Sequence, residues 1–212
     1  MNDERQQHWE QVYRDKESTS VSWYQEYPEL SLQLVHKSGV AKTEPIIDIG
    51  GGASVLVDDL LLQDFSSVAV LDISAAALEC ARARLCERAA QVEWFVADVT
   101  TFEPPHPFAL WHDRAVFHFL TSYEDRQKYL QVLKKTLQPY GWLILATFAL
   151  GGPDRCSGLP VERYDAAKMQ ATLGGRFELV ESREECHTTP AGGEQKFTYC
   201  LFRFKPGRGD DE

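Results

Sequence analysis

The feature that most constrains the fold is the stretch 45–54, Pro-Ile-Ile-Asp-Ile-Gly-Gly-Gly-Ala-Ser. It predicts a short apolar strand, a turn of three glycines and the start of a helix, because glycine allows sharp turns and close backbone approach. Such a turn forms a ligand pocket at the carboxyl edge of an open α/β sheet. The stretch departs from the dinucleotide fingerprint G-x-G-x-x-G at Val55. Asp48, two residues before Gly50, favours a cationic ligand over a pyrophosphate.

Four aspartates recur where successive predicted strands end: Asp48, Asp72, Asp98 and Asp113. Because the carboxyl ends of parallel strands lie along one edge of a sheet, we expect these side chains to share one ligand-binding crevice. Asp72 follows Gly52 by twenty residues, where a carboxylate can accept hydrogen bonds from ribose hydroxyls. Aspartate is also common at strand ends and helix caps, so a structural role remains the alternative.

The order of predicted elements indicates one α/β domain. Residues 1–40 form a helical N-terminal cap, and 45–204 form the core, in which five strands alternate with helices. This alternation predicts a mostly parallel sheet with helices on both faces. Strands at 177–186 and 196–204, joined by a short polar turn, predict an antiparallel C-terminal hairpin, for seven strands in all. The tail 205–212 is polar, and we expect it to be flexible.

Composition excludes several classes of protein. At 212 residues and 43% hydrophobic content, the chain fits one well-buried domain. The formal charge of −10 argues against nucleic acid as the main partner. No run of about eighteen apolar residues appears, and the N-terminus lacks the layout of a secretory signal, so we expect no membrane association. Five cysteines without C-x-x-C spacing favour a reducing cytoplasm and argue against a metal site.

The front of the chain is rich in aromatic residues, with Trp9, Tyr13, Trp23 and Tyr24 before the first strand. One interpretation is that they pack the front helices onto the sheet. The other is that they close over a bound cofactor, because aromatic faces attract cations. The sequence leaves both interpretations open.

With its alternating units, acid-led glycine turn, second-strand acid and terminal hairpin, the chain resembles class I S-adenosylmethionine-dependent methyltransferases, which have a Rossmann-like core. The resemblance covers roughly 46–204, and Ser54 stands where the family motif has its third glycine. It implies S-adenosylmethionine as cofactor and S-adenosylhomocysteine as product. The implied cofactor-binding residues are Asp48, Gly50, Gly51 and Gly52 at the methionine part, Asp72 at the ribose, Ile73, Asp98 and Val99 at the adenine, and Trp23 and Tyr24 at the border.

The stretch 112–119, His-Asp-Arg-Ala-Val-Phe-His-Phe, narrows the resemblance to a branch that holds thiopurine-type and protein-lysine methyltransferases. It implies that Asp113 lines the mouth where the methyl group is transferred. The entry Ser22-Trp23-Tyr24 resembles the lysine-methylating group, so a protein lysine amine is the expected acceptor. The alternatives are small-molecule S- or O-methylation and a catalytically silent S-adenosylmethionine-binding module.

Candidate residues for the acceptor follow from position. His112 and His118 are candidate bases for a thiol or amine, although a lone histidine more often packs in the core or lies at the surface. The segment 151–164 is long for a plain connection, which favours it as a wall of the acceptor site. Its candidate acceptor-binding residues are Arg155, Arg163 and Tyr164. For a lysine acceptor we expect an acceptor site with an acidic, open mouth. For a small molecule we expect a closed, apolar pocket.

Overall fold

The computed structural model of the protein describes residues 2–207, so residues 208–212 of the predicted tail lie outside the described range. Six α-helices lie within it: α1 Asn2–Asp15, α2 Glu29–Ser38, α3 Leu56–Leu62, α4 Ala75–Leu85, α5 Tyr123–Thr136 and α6 Ala166–Leu173. The strands are β1 Ile46–Ile49, β2 Val68–Asp72, β3 Val92–Val96, β4 Phe108–Arg114, β5 Leu137–Phe148, β6 Arg155–Cys156, β7 Leu159–Pro160, β8 Phe177–Thr188 and β9 Glu194–Phe204. Two short 3₁₀ helices span Cys86–Gln91 and Phe117–Phe119.

Seven strands form one sheet in the order β3-β2-β1-β4-β5-β9-β8. The first five are parallel, whereas β9 runs antiparallel to β5, and β8 antiparallel to β9. The predicted fold class is therefore confirmed, including the C-terminal hairpin. The small hairpin β6–β7 was not predicted. The division of the chain into a cap, 1–40, and a core, 45–204, stays a prediction.

Helices cover both faces of the sheet because its central strands are apolar on both sides. Alternate residues of β1 point to opposite faces, so Ile47 joins one buried cluster and Ile46 the other. The first cluster holds residues of α5 and α6, such as Leu133 and Met169, and the second holds residues of α2 to α4, such as Leu34. The sheet is thus buried between two helical layers.

Two predicted boundaries were wrong, for local reasons. The stretch 75–88, rich in Ala, Leu and Arg, predicts one helix, but α4 ends at Leu85, because Cys86 has a φ of 53° that a continuing α-helix does not tolerate. The residues Pro-Tyr-Gly at 139–141 predict a turn before a strand that starts at residue 142, but β5 begins at Leu137 and includes them. The pairing of β5 with β4 shifts register there, so the turn residues form an irregularity within the strand.

Helix α1 docks across the end of α4. The carboxylate Oε1 of Glu10 accepts the backbone N–H groups of Ala75 and Ala76, at 2.5 and 3.3 Å, and so satisfies donors that the first turn of α4 leaves free. Arg5 forms an ion pair with Asp125 at the start of α5. These contacts place α1 over the carboxyl edge of the sheet. No helix within residues 2–207 has both the length and the apolar character needed to span a membrane.

Candidate functional site

Two adjoining cavities lie at the carboxyl edge of the sheet. The main cavity has about 850 Å³ of space, partly open to solvent, and is lined by residues from α1 and from the ends of the central strands. The side cavity has about 570 Å³ and lies beneath the chain that enters α2. Tyr13, Trp23, Gly50 and Arg114 line both cavities and form the partition between them.

The main cavity has an acidic end, lined by Asp72 and Ile73 after β2 and by Asp98 and Val99 after β3. Asp72 accepts the Ser74 N–H at 2.8 Å through Oδ1. Asp98 uses its Oδ1 for the N–H and hydroxyl of Thr100, both at 2.7 Å. Its Oδ2 is buried and has no hydrogen-bond partner among the described residues. This end therefore presents carboxylate oxygens to a ligand that carries hydrogen-bond donors.

Burial changes the protonation of Asp72. The side chain is only 6% exposed. Burial raises its pKa to about 7, with smaller contributions from the nearby carboxylates Asp48 and Glu10, and against the lowering effect of the Ser74 N–H. Asp72 therefore titrates near neutral pH in the free protein.

Two glycines of the turn between β1 and α3 combine a left-handed backbone with close neighbours that leave no room for a Cβ. Gly50 has a φ of 63°, and a Cβ there would lie 2.0 Å from Cγ2 of Val116. At Gly52 the φ is 40°, and a Cβ would lie 2.6 Å from Oδ2 of Asp72. The glycines thus allow the backbone to pass directly beside the main cavity and its carboxylate.

The side cavity contains a buried pair from the first and fourth strands. Asp48 Oδ1 lies 2.6 Å from Nδ1 of His112, and the other ring nitrogen lies 2.9 Å from the hydroxyl of Ser31 in α2. Both ring nitrogens of His112 are therefore engaged. This arrangement ties β1, β4 and α2 together and leaves no free ring nitrogen for the role of a base.

The opposite end of the main cavity is aromatic. Phe148 at the end of β5 pairs with Phe197 of β9, and their rings meet edge to face at 4.8 Å. Cys156 of β6 is the residue through which the segment after β5 reaches the cavity. Burial raises the pKa of its thiol to about 11, so the group is uncharged at neutral pH. Apolar and aromatic side chains dominate this end.

The front aromatic residues close the partition. Trp23 Nε1 donates to the Tyr13 hydroxyl at 3.3 Å, and the Trp9 ring meets both Trp23 and Phe119 edge to face. Trp23 lines both cavities, whereas Tyr24 lines the side cavity. The front residues therefore pack against each other and also line the cavities. That they close over a bound cofactor stays a prediction.

Asp113 does not lie at the mouth of either cavity. Its carboxylate is fully buried and accepts the Tyr129 hydroxyl at 2.7 Å and the backbone N–H groups of Val116 and Phe117 at 2.9 and 3.3 Å. Burial raises its pKa to about 6, against the lowering effect of the Tyr129 hydroxyl. Because Tyr129 belongs to α5, Asp113 faces that helix. This position gives Asp113 a structural role in the chain after β4.

His118 is also buried away from the cavities. Its Nδ1 accepts the Phe148 N–H at 3.3 Å, and its ring packs against Phe119 and Phe148. Burial lowers its pKa to about 3, so the ring is neutral at neutral pH. Such a ring binds protons too weakly for the base expected from the sequence.

The predicted acceptor-binding residues lie elsewhere. Arg155 is exposed and donates to the Gly158 carbonyl, and Arg163 donates to the Gly152 carbonyl at 3.2 Å. Tyr164 is 1% exposed and packs on the Phe117 ring. Their contacts stabilise the segment after β5 itself.

Sequence reasoning missed several residues of the main cavity: Arg5, Arg114, Val116, Phe119, Leu120, Phe148 and Phe197. One available signal was the spacing of Trp9 and Tyr13, which lie four residues apart on one face of a helix. Another was the position of Phe148 at the carboxyl end of the fifth strand. Among residues 2–207, no group of three or more His, Cys, Asp or Glu side chains is placed to hold a metal ion.

Comparison with known proteins agrees with this geometry. Residues 47–143 match a family model described as a methyltransferase domain. No protein with a curated description matches the sequence. The fold is similar to a S-adenosylmethionine-dependent methyltransferase from Anabaena variabilis, at 20% identity and a TM-score of 0.73, covering 95% of each chain.

Two further structures share the fold. The N-methyltransferase NodS from Bradyrhizobium japonicum, solved with S-adenosylhomocysteine, is 18% identical with a TM-score of 0.70, covering 93% of this chain and 98% of that one. The 1,6-didemethyltoxoflavin-N1-methyltransferase from Burkholderia thailandensis is 17% identical with a TM-score of 0.72, covering 95% and 88%. At these identities the structures establish the fold. The family model in turn places a methyltransferase domain over residues 47–143, and the fold around it is one that S-adenosylmethionine-dependent methyltransferases share.

Proposed function

We propose that this enzyme transfers the methyl group of S-adenosylmethionine to a small molecule held at the aromatic end of the main cavity. The observation that carries the proposal is the character of that end. Its walls are Phe148, Phe197, Cys156 and the front aromatic residues, with α1 lying across them. An apolar, covered pocket suits a small acceptor, whereas a lysine side chain would favour an acidic, open mouth.

The residues present fit the cofactor. Oδ2 of Asp98 is a buried acceptor without a partner among the described residues, and Oδ2 of Asp72 borders the glycine turn. Both carboxylates suit a ligand rich in hydroxyl and amine donors. The glycine turn supplies space that no other residue would leave.

In this proposal the two cavities hold different parts of the cofactor. Asp72 binds the ribose, Ile73 packs on the adenine, and Asp98 and Val99 bind near its amine. The remaining contacts, at the methionine part in the side cavity, come from Asp48, Gly50, Gly51, Gly52, Trp23 and Tyr24. Both cavities meet at the partition, which supports a single elongated ligand that occupies both.

The cofactor supplies an activated methyl group with a good leaving group. The chain aligns the acceptor with that group and excludes water, since alignment and desolvation account for most of the acceleration in such a displacement. The aromatic rings of Trp9 and Trp23, which line the main cavity, also favour a positively charged ligand beside them. No chemical step requires the buried Asp113 or His118.

A structure of the same fold supports a small acceptor, because it is described as binding 1,6-didemethyltoxoflavin together with S-adenosylhomocysteine. A protein-lysine acceptor would have to pass α1, whose Glu10 and Arg5 contacts hold it across the cavity. The geometry therefore favours the small-molecule alternative over the lysine acceptor expected from the sequence.

The test is a labelling experiment. Purified enzyme and S-adenosylmethionine with a labelled methyl group are added to a cytosolic extract, which is then separated into protein and small molecules. We expect the label in the small-molecule fraction. The Asp72→Asn variant should label much less, because its cofactor affinity falls, whereas Asp64→Asn, at an exposed position with a left-handed backbone that asparagine accepts, should label like wild type.

Two outcomes would contradict the proposal. Label recovered from the protein fraction as methyl-lysine would establish the lysine acceptor. Absence of label from both fractions, with S-adenosylhomocysteine binding intact by calorimetry, would favour the catalytically silent module.

A further inference from the structure

Arg114 is a buried cation held rigidly at the partition. Its Nε donates to the Tyr199 hydroxyl at 2.7 Å, and its Nη1 donates to the Trp23 carbonyl at 2.9 Å. The guanidinium lies over the Phe197 ring, 4.4 Å from its centroid. The side chain is only 10% exposed, yet it lines both cavities.

One donor group of this guanidinium is unused. Nη2 is buried and makes no hydrogen bond with any described residue. The nearest carboxylate oxygen, Oε2 of Glu185, is 3.6 Å away. Glu185 is itself bonded by Tyr199 at 3.0 Å and by Gln25 at 3.1 Å. A buried charged donor left unbonded is costly, and an anion in the cavity would satisfy it.

The aromatic end lacks a group that would accept a proton. Asp72 and Asp98 lie at the ends of β2 and β3, and β2 is four strand spacings, or roughly 19 Å, from β9 with its Phe197. Burial raises the pKa values of the Cys156 thiol and the Tyr13 hydroxyl, so both keep their protons at neutral pH. Among the described residues that line the main cavity, no histidine, lysine or glutamate is present.

From these observations we infer that Arg114 binds an anionic group of the acceptor, so that the substrate is a small, flat molecule that enters the cavity already ionised. This inference rests on the proposed small-molecule function. Methyl transfer then needs no group that removes a proton. An electron pair of the acceptor forms the new bond to the methyl carbon, the bond between that carbon and sulfur breaks, and its electron pair remains on sulfur. No proton moves. Glu185 sets the charge balance, because its carboxylate competes with the acceptor for the guanidinium.

A carboxylate on the methionine part of the cofactor would satisfy the same donor, so the experiment separates these two sources. Binding of benzoate, salicylate and 2-mercaptobenzoate, each compared with its neutral amide, is measured by calorimetry on enzyme saturated with S-adenosylhomocysteine. We expect each acid to bind about tenfold or more tightly than its amide. Separately, S-adenosylhomocysteine binding is measured for every variant.

Substitutions at Arg114 and Glu185 should change the preference for acids over amides in opposite directions. Arg114→Gln should abolish the preference for acids, and Arg114→Lys should retain part of it. Glu185→Gln should increase it, an outcome that a purely structural role for this network does not predict. Arg183→Gln, an arginine of β8 outside both cavities, serves as the matched control and should bind like wild type.

Equal binding of acids and amides to wild type, including binding of neither, would overturn the inference, as would a preference that survives in Arg114→Gln. A tenfold loss of S-adenosylhomocysteine affinity in Arg114→Gln, without acid preference in wild type, would assign the anion to the cofactor. These results are independent of the labelling experiment, in which failure of the proposed function appears as labelled protein or as no label.

Discussion

The protonation of Asp72 makes cofactor binding depend on pH. Burial holds its pKa at about 7 in the free protein. Hydroxyl donors of a bound ribose favour the charged carboxylate, so binding lowers the pKa and releases a proton. If the bound pKa falls to about 5 or lower, affinity for S-adenosylhomocysteine rises about tenfold between pH 6 and pH 8, with most of the rise below pH 7.

Stability of the free protein changes in the opposite direction. Native Asp72 keeps its proton at pH values where the unfolded chain has lost it. The free energy of unfolding therefore falls as pH rises from about 4 to about 7 through this group, and levels off above its folded pKa. A bound cofactor removes this penalty, because it favours the charged form.

The assay is calorimetric titration of S-adenosylhomocysteine at pH 6, 7 and 8, in buffers with different ionisation enthalpies so that released protons are counted. Asp48, Glu10 and Tyr13 are the other ionisable groups that face Asp72. Asp72→Asn isolates its contribution and should bind with little pH dependence, whereas Asp64→Asn should behave as wild type. Flat binding in wild type, or a dependence that persists in Asp72→Asn, would refute the reasoning.

Three further substitutions test the scaffold of the site. Tyr129→Phe should lower the free energy of unfolding by about 1–3 kcal/mol, because Asp113 loses a buried donor, with S-adenosylhomocysteine affinity unchanged; urea denaturation and calorimetry measure the two effects. Glu10→Ala should cost about 0.5–2 kcal/mol in urea denaturation, since α4 loses its N-terminal acceptor, and an unchanged midpoint would remove that contact from the account. Gly50→Ala should abolish S-adenosylhomocysteine binding through its clash with Val116. Adding Val116→Ala should restore binding only in part, because about 1–2 kcal/mol of backbone strain remains at residue 50. Full wild-type affinity in the double variant would contradict the strain argument.

The parts of the site that the sequence predicted are local in the chain. Asp72, Asp98 and the glycine turn each follow a short apolar strand directly, so their place at the carboxyl edge depends only on where that strand ends. The structure puts them at that edge. Their contacts with the cofactor stay proposals.

The errors in the predicted site have two sources. Some depend on which face of a strand a residue points to, and others depend on contacts between segments that are far apart in the chain. The sequence pattern places Asp113 where the fourth predicted strand ends, but β4 continues through it to Arg114. Because alternate residues of a strand face opposite sides, Asp113 turns toward α5, and Arg114 faces the cavities instead. A sequence pattern does not show where a strand ends to within one residue.

Other parts depend on pairing between distant segments. Phe197 enters the cavity because β9 pairs with β5 in a register that sets it beside Phe148. Helix α1 covers the cavity because Glu10 reaches the start of α4, sixty-five residues away in the chain. Neither contact leaves a local signal in the sequence, which is why the aromatic end was missed.

The central claim is that one elongated cofactor runs from the acidic end of the main cavity into the side cavity, with its reactive centre facing the aromatic end. Diffraction from crystals grown with S-adenosylhomocysteine measures this most directly. We predict density for the ribose at Asp72, for the adenine between Ile73 and Val99, and for the sulfur turned toward Phe148. Density outside these cavities, or a sulfur turned away from the β5–β9 side, would contradict the account.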